Sequence, residues 1–245
     1  MAKVAIIIPA RYASSRFPGK PLALIHGHPM IEYVYKKAKK VCGVNEVLVA
    51  TDDERIAVAV RSFGGKVVLT SPACASGTDR VAEAALAIEA DIIVNVQGDE
   101  PAIEPKAIEK AIEPLLKDAN LPMATLMAPI HDEAELNNTN IVKAVSNLQG
   151  NALYFSRSLI PSRARGTLAT PHKHIGLYVY RRDFLLKLSK MPKTPLEETE
   201  QLEQLRVLEN GYTIRLVAVE KSFFGVDTPE QLKQIEALLP PLGEE

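Results

Sequence analysis

Arg11, Arg16 and Lys20 stand together in the stretch PARYASSRFPGK, and no acidic residue occurs before Glu32. Three cations with no local counter-ion call for an external anion. Guanidinium forks match phosphate oxygens and a lysine adds a point charge. Gly19, Ser14 and Ser15 let backbone N–H groups approach the same anion. Asp99 in QGDEP and Asp227 in GVDTP form a second constellation. A carboxylate beside a phosphate loop would repel the phosphates unless a metal lay between them. Mg²⁺ suits that place, because it takes hard oxygen ligands and often pairs one or two carboxylates with substrate phosphates. For Asp227 a plainer role is equally open, since Asp-Thr-Pro-Glu also starts helices. Thr228 suffices as that cap, however, and leaves Asp227 to other work. Glu100 reads as the cap of the helix that follows it.

These residues need a frame that brings them together. Val4 to Ile8 is an unbroken β-branched and apolar run, as in a strand buried on both faces, and Pro9 is expected to end it. Strand patterns at 47–51, 66–70 and 91–96 alternate with helical spacing at 31–41, 54–63, 78–88 and 105–116. Asp52 or Asp53 can cap the second of these helices. This rhythm predicts a doubly wound, mostly parallel sheet, which binds ligands outside the carboxyl ends of its strands. The cationic loop and Asp99 both follow such strand ends. From Met123 onward, strand patterns at 123–129, 141–146, 152–157 and 174–180 lack crossover helices, so antiparallel pairing is expected. Helices over 182–190 and 197–210, a strand over 212–219 and a helix begun by Thr228 and Pro229 complete the chain. The expected architecture is one Rossmann-like α/β domain over 1–245, with a β-rich insertion at about 125–190.

Composition narrows the function. The chain has 245 residues, 47% of them apolar, and 29 basic residues against 30 acidic ones, for a net charge of −1. That balance predicts no bulk attraction to nucleic acid or to an anionic membrane, so anion recognition must be local. No apolar run approaches the roughly 18 residues of a membrane helix. The chain opens into a strand rather than a basic-then-apolar leader. Cys42 and Cys74 fit no metal-binding spacing and read as free thiols in a reducing compartment, so a cytoplasmic location is expected. Three further groups stand out. Ala73, Ala75, Ser76 and Gly77 are small enough for a flat ring to approach, although a loop leading into a capped helix is the simpler account. His174, Tyr178 and Tyr180 alternate along one strand and share a face. Glu197, Glu198, Glu200, Glu203 and Arg206 crowd one helix, as on a solvated charged face, with Glu203 at the edge of its leucine stripe.

The first loop lacks the spacing of the P-loop and of the dinucleotide fingerprint. PARYASSRFPGKPL resembles instead the N-terminal signature of the nucleotidyltransferases that activate sugars, in the version of the cytidylyltransferases for acidic sugars. ATDDERI, SGTDR, VNVQGDEP, ALYFSRSLIP, HIGLYVY, LEQLRVLENG and GVDTPEQL follow in order. The whole set resembles the 3-deoxy-manno-octulosonate (Kdo) cytidylyltransferases. The resemblance implies a fold of the nucleotide-diphospho-sugar transferase type. It implies CTP and Kdo as substrates, CMP-Kdo and pyrophosphate as products, and a place in lipopolysaccharide biosynthesis. By the same resemblance Arg11, Ser14, Arg16 and Lys20 hold the triphosphate, and Ser76 the cytosine and ribose. Asp99 and Asp227 ligate Mg²⁺. Gln97, Arg157, His174, Tyr178, Glu203 and Gln204 line the sugar pocket, with Arg157 on the sugar carboxylate. The β-rich insertion joins a homodimer. The chain departs from the family at Asn138-Thr139-Asn140, where proline usually holds the middle position. Other acidic sugars, such as sialic acid or an amino analogue of Kdo, are the nearest alternatives. A glycosyltransferase or a non-catalytic nucleotide sensor is further off.

Overall fold

Burial on both faces of β1 (Val4–Ala10), at every one of its positions, sets the centre of the first half of the chain. The computed structural model describes residues 2–13, 17–166 and 168–243. It divides into two compact units, Met1–Glu109 with Phe223–Glu245, and Lys110–Ser222. In the first unit β1 is followed by a short hairpin of β2 (Leu24–Ile25) and β3 (His28–Pro29), then α1 (Met30–Lys39). β4 (Glu46–Thr51), α2 (Glu54–Ser62), β5 (Val67–Leu69), α3 (Gly77–Leu86) and β6 (Ile92–Asn95) come next. The buried stripe of α1 includes Ile31, Val34, Tyr35 and Ala38, while three lysines fill its last turn and suit the helix dipole there. Asp53 caps α2 by accepting from the Arg55 N–H. Ser76 and Asp79 cap each other's backbone at the start of α3.

The strands of this unit lie in the order β5-β4-β1-β6, all parallel. The chain steps outward from β1 to β4 to β5, then returns past β1 to β6. Right-handed crossovers in opposite directions put their helices on opposite faces, so a crevice opens between the carboxyl ends of β1 and β6. Pro9 does not end β1, which pairs through Pro9 with Ala50 and through Ala10 with Thr51. Pairing with β6 stops at Ile7 and Asn95, so beyond that point β1 has a ladder on one side only. An edge position tolerates the missing N–H of proline.

α4 (Pro105–Lys117) carries the chain from the first unit into the second. There β7 (Met123–Pro129) is followed by the short α5 (Glu133–Leu136), β8 (Lys143–Ser146), β9 (Ala152–Ser156) and β10 (His172–Arg181). Then come α6 (Arg182–Leu188), α7 (Pro195–Glu200), α8 (Gln204–Glu209) and β11 (Ile214–Ala218). The expected antiparallel pairing is present, β7 with β10, β10 with β8 and β8 with β9, while β11 runs parallel to β7. β10 slips register between Ile175 and Tyr178, a bulge that matters below.

The single helix expected over 197–210 is two. Gln201 adopts φ 54°, closing α7 with its N–H on the Glu197 carbonyl, and α8 begins at Gln204. The break leaves the carbonyls of Glu200 and Gln201 outside the helical ladder. Nor is this segment a solvated face throughout. Glu197 and Arg206 are 6% and 7% exposed, and Arg206 donates to both Glu197 carboxylate oxygens through the Nε–Nη2 edge of its guanidinium. After β11 the chain returns to the first unit. Thr228 and Gln231 form a capping box for α9 (Pro229–Leu238), with Pro229 in its first turn. Among the described residues, no helix is long and apolar enough to cross a membrane.

Candidate active site

The crevice at the switch point of the first unit is a cavity of about 420 Å³ lined by Arg11, Lys20, Gln97, Asp99 and Asp227, among others. Its floor is made by glycine. A Cβ on Gly98 would lie 2.9 Å from the Pro9 carbonyl oxygen, so only glycine lets the β6 loop lie against the end of β1. Gly19 turns the first loop at φ 72°, its N–H bonded to the Tyr12 carbonyl, and starts a 3-10 turn at Lys20. Asp227 is brought in from the far end of the sequence. Val226 packs with Ile25, Met30, Tyr33 and Ile235, and its N–H donates to the Asp99 carbonyl at 2.9 Å.

The result is a charge triad. Lys20 Nζ donates to Asp99 Oδ2 at 2.5 Å and to Asp227 Oδ1 at 3.1 Å. The ammonium is 13% exposed, and the carboxylates are 34% and 46% exposed. Lys20 therefore has counter-ions after all, 79 and 207 positions along the chain, where local reading sees none. Two carboxylates meeting one cation also test whether the site suits a metal. Both converge on Lys20 Nζ, which places them close enough together to reach one cation. Among the described residues no group of three or more acidic, histidine or cysteine side chains could hold a metal. Phosphate oxygens and water would complete the shell, the usual pattern for Mg²⁺. Arg11 Nη1 donates to the Ala75 carbonyl at 3.3 Å, and its Nη2 is buried without a hydrogen-bond partner among the described residues. An orphan guanidinium nitrogen beside a cavity is a ready donor for an anion.

The second unit gathers a different set of groups. Phe155, His174, Tyr178 and Tyr180 form a row of rings with successive centroids 5.1, 5.5 and 6.0 Å apart. The Tyr178 hydroxyl lies 3.4 Å from Gln204 Oε1, while Gln204 Nε2 is buried and has no hydrogen-bond partner among the described residues. Arg157 follows β9, held by three backbone carbonyls. Nε donates to Glu200 O at 2.7 Å, Nη1 to Thr139 O at 3.0 Å and Nη2 to Gln201 O at 3.3 Å. The helix break at Gln201 supplies two of these acceptors. No carboxylate pairs with this guanidinium among the described residues, and two of its five N–H groups remain for a ligand. Glu200 fixes the same corner, its carboxylate accepting from Ser156 Oγ and the Arg157 N–H.

Comparison with known proteins decides the family. The cytidylyltransferase family model matches residues 5–221. The 3-deoxy-manno-octulosonate cytidylyltransferase of Geobacter metallireducens is 53% identical, over 95% of this chain and 96% of that one. The protein of the same name from Myxococcus xanthus is 51% identical, over 97% and 96%. The chain belongs to the 3-deoxy-manno-octulosonate cytidylyltransferase family. A solved structure described as CMP:2-keto-3-deoxy-manno-octonic acid synthetase complexed with CTP superimposes with a TM-score of 0.94 at 47% identity, covering 97% of this chain and 98% of that one. The α/β architecture with a mostly parallel sheet is that of this family's nucleotide-diphospho-sugar transferase fold.

Within this cytidylyltransferase the residues singled out from sequence fall into two groups. Arg11, Lys20, Gln97, Asp99 and Asp227 line the cavity of the first unit. Gln97, assigned to the sugar side, lines this same cavity and donates to Asn95 Oδ1. Ser14 and Arg16 lie outside the described residues. Ser76 Oγ accepts from the Asp79 N–H as the cap of α3. Arg157, His174, Tyr178 and Gln204 cluster in the second unit, with Glu203 at the start of α8. The Thr139 departure is harmless to Arg157, because the contact uses a backbone carbonyl that proline also has.

Three features escaped the sequence reading. Glu100 caps no helix, since α4 begins at Pro105. Its Oε2 is buried and unpartnered; burial first, then the Asp99 carboxylate, push it up to about 8. Lys143 is fully buried, and its Nζ holds the carbonyls of Asn138 and Arg157 at 2.7 and 3.0 Å. Its position as the one charge in the apolar run IVKAV was the available signal. Cys74 donates to Glu83 at 3.0 Å, and burial together with that carboxylate pushes the thiol up to about 11, so it is chemically quiet.

Proposed function

We propose that this cytidylyltransferase transfers CMP from CTP to the anomeric 2-hydroxyl of Kdo, releasing pyrophosphate. The observation that carries the reading is the convergence of Lys20, Asp99 and Asp227 beside the unpartnered Arg11 nitrogen at the switch point. The names of the full-length relatives support the choice of substrates. One bond forms, from the sugar oxygen to the α-phosphorus. One breaks, from that phosphorus to the oxygen bridging to the β-phosphate. The hydroxyl proton leaves to solvent or a nearby base, and the electron pair departs with pyrophosphate.

No covalent nucleophile is required, so positioning and charge neutralisation carry the catalysis. Arg11 and Lys20 provide cationic donors for the triphosphate oxygens. Mg²⁺, when bound, would neutralise phosphate charge, with Asp99 and Asp227 as its protein ligands. In the second unit, Arg157 keeps its guanidinium oriented through three carbonyls and offers its remaining N–H groups to the sugar carboxylate. Gln204, Tyr178, Glu203 and His174 offer donors and acceptors of the kind a polyol needs. The reading also includes a homodimer joined through the β-rich part of the second unit. The edge strand β9 and the turn before it carry the exposed Leu153 and Leu148, which support that surface. A cytoplasmic location is part of the reading too, supported by two free cysteines.

The test is a product assay. CTP and each other nucleoside triphosphate are offered with Kdo, a sialic acid and an amino analogue of Kdo, and the phosphodiester is identified by ³¹P NMR. CMP-Kdo as the dominant product supports the assignment. A preference for another acidic sugar, or consumption of a preformed sugar nucleotide, overturns it.

A further inference from the structure

The register slip in β10 creates an unusual demand on one buried hydroxyl. Leu126 pairs with Ile175 and Thr125 with Tyr178, so Gly176 and Leu177 bulge out of the ladder. Thr125 is fully buried beneath the bulge. Its Oγ1 lies 2.7 Å from the Leu177 carbonyl oxygen, 3.1 Å from that of Ile175 and 2.9 Å from His174 Nε2. A hydroxyl has one proton and two lone pairs. Carbonyl oxygens only accept, so that proton must go to the bulge. Were it given to His174, two carbonyls would face a bare oxygen in a buried site, an arrangement that costs free energy. Oγ1 therefore meets Nε2 with a lone pair, and Nε2 must bear hydrogen.

We infer that Thr125 is a positioning residue that fixes His174 as the Nε2–H tautomer, presenting Nδ1 as a hydrogen-bond acceptor for a hydroxyl of the sugar acid. The inference rests on the reading that the second unit binds that sugar. Nδ1 makes no hydrogen bond among the described residues, while the ring is held by Phe155 and Tyr178. Burial pushes His174 down to about 3, so the ring stays neutral at physiological pH and keeps one acceptor nitrogen. A second-sphere contact of this kind selects the tautomer of a histidine as it does at metal sites. The choice matters because a sugar hydroxyl can donate to Nδ1 only when that nitrogen is bare.

The first experiment is ¹⁵N NMR of histidine-labelled protein without ligands. A pyrrole-type shift at Nε2 and a pyridine-type shift at Nδ1 of His174 support the inference. Hydrogen on Nδ1, or on both nitrogens, at neutral pH overturns it. The second is kinetic. Thr125→Val keeps the shape without the hydroxyl and should raise the KM for Kdo roughly tenfold, about the loss of one hydrogen bond. The KM for CTP should stay within about twofold in the same variant. Thr125→Ser restores the hydroxyl and should return the Kdo KM to wild type. A folded Thr125→Val protein with an unchanged Kdo KM refutes the positioning role, and the NMR result stands if that variant does not fold. Failure of the wild-type protein to use Kdo would sink the substrate assignment while leaving the tautomer measurement valid.

Discussion

Asp227→Asn separates a metal ligand from a helix-entry residue, because the two roles predict different sizes and kinds of loss. Asparagine keeps the shape and removes the negative charge. The cap of α9 is untouched, since Thr228 makes it with Gln231 and the Asp227 backbone N–H that donates to Gln231 Oε1 is kept in asparagine. The pair with Lys20 involves a carboxylate that is 46% exposed, so screening limits it to about 0–1 kcal/mol of stability. Urea denaturation should therefore give nearly the wild-type midpoint. Turnover should behave differently. Losing one preorganised electrostatic partner of the reacting phosphates costs about 100- to 1,000-fold in kcat, or about 2.7–4 kcal/mol. The Mg²⁺ concentration for half-maximal rate should rise as well. Asp99→Asn should act alike, and on the proposal that both carboxylates share one ion the double variant should be little worse than the worse single one. The assay is initial rate against Mg²⁺ concentration, beside denaturation of each variant. Wild-type turnover with unchanged Mg²⁺ dependence in Asp227→Asn would remove Asp227 from the site. Fully multiplicative losses in the double variant would contradict a shared ion.

Other expectations follow from the second unit. Arg157→Lys replaces a guanidinium held by three carbonyls with a point charge, so the KM for Kdo should rise at least tenfold with that for CTP little changed; the reverse pattern in steady-state kinetics would move Arg157 to the nucleotide side. Glu197→Gln leaves Arg206 buried with an uncompensated charge and should cost about 3–5 kcal/mol in chemical denaturation, where a solvated pair would cost under about 1. His174 gives a pH signature. Its folded value is depressed to about 3, while an unfolded histidine titrates near about 6.5. Between those values the unfolded chain binds a proton that the folded one does not, so stability falls as pH drops through that window. His174→Gln should flatten that part of the stability curve, and an unchanged slope would show that the ring titrates normally when folded.

Much of this was legible in the residues because it was local or periodic. The unbroken apolar run of β1, the lysine-backed face of α1 and the Thr228-Pro229 helix start each follow from nearest-neighbour physics. The site was legible as two halves, a cationic loop and two carboxylates at strand ends. Their contact was not, because Lys20, Asp99 and Asp227 meet only through the sheet topology and the Val226 strap to Asp99. The misses share that cause. Pro9 stays in its strand because β6 stops pairing at Asn95, 86 positions further along the chain, which is a fact about the partner strand rather than about proline. Glu197 looks solvated by composition, yet tertiary packing buries it with Arg206. Gln201 breaks a helix that leucine spacing would continue, releasing carbonyls that Arg157 takes. Thr125 sits in an ordinary strand pattern, and only the bulge opposite it creates its task.

On the proposed reading, the cationic loop and the carboxylate pair of the first unit serve CMP transfer to an acidic sugar. Pyrophosphate release measured with CTP, Mg²⁺ and Kdo, omitting each in turn, tests it most directly. Stoichiometric pyrophosphate and CMP-Kdo are expected only when all three are present, with a loss of both when Lys20, Asp99 or Asp227 is replaced by a neutral residue. Pyrophosphate release that is independent of Kdo, or that proceeds undiminished without Mg²⁺ or without those three charges, would contradict it.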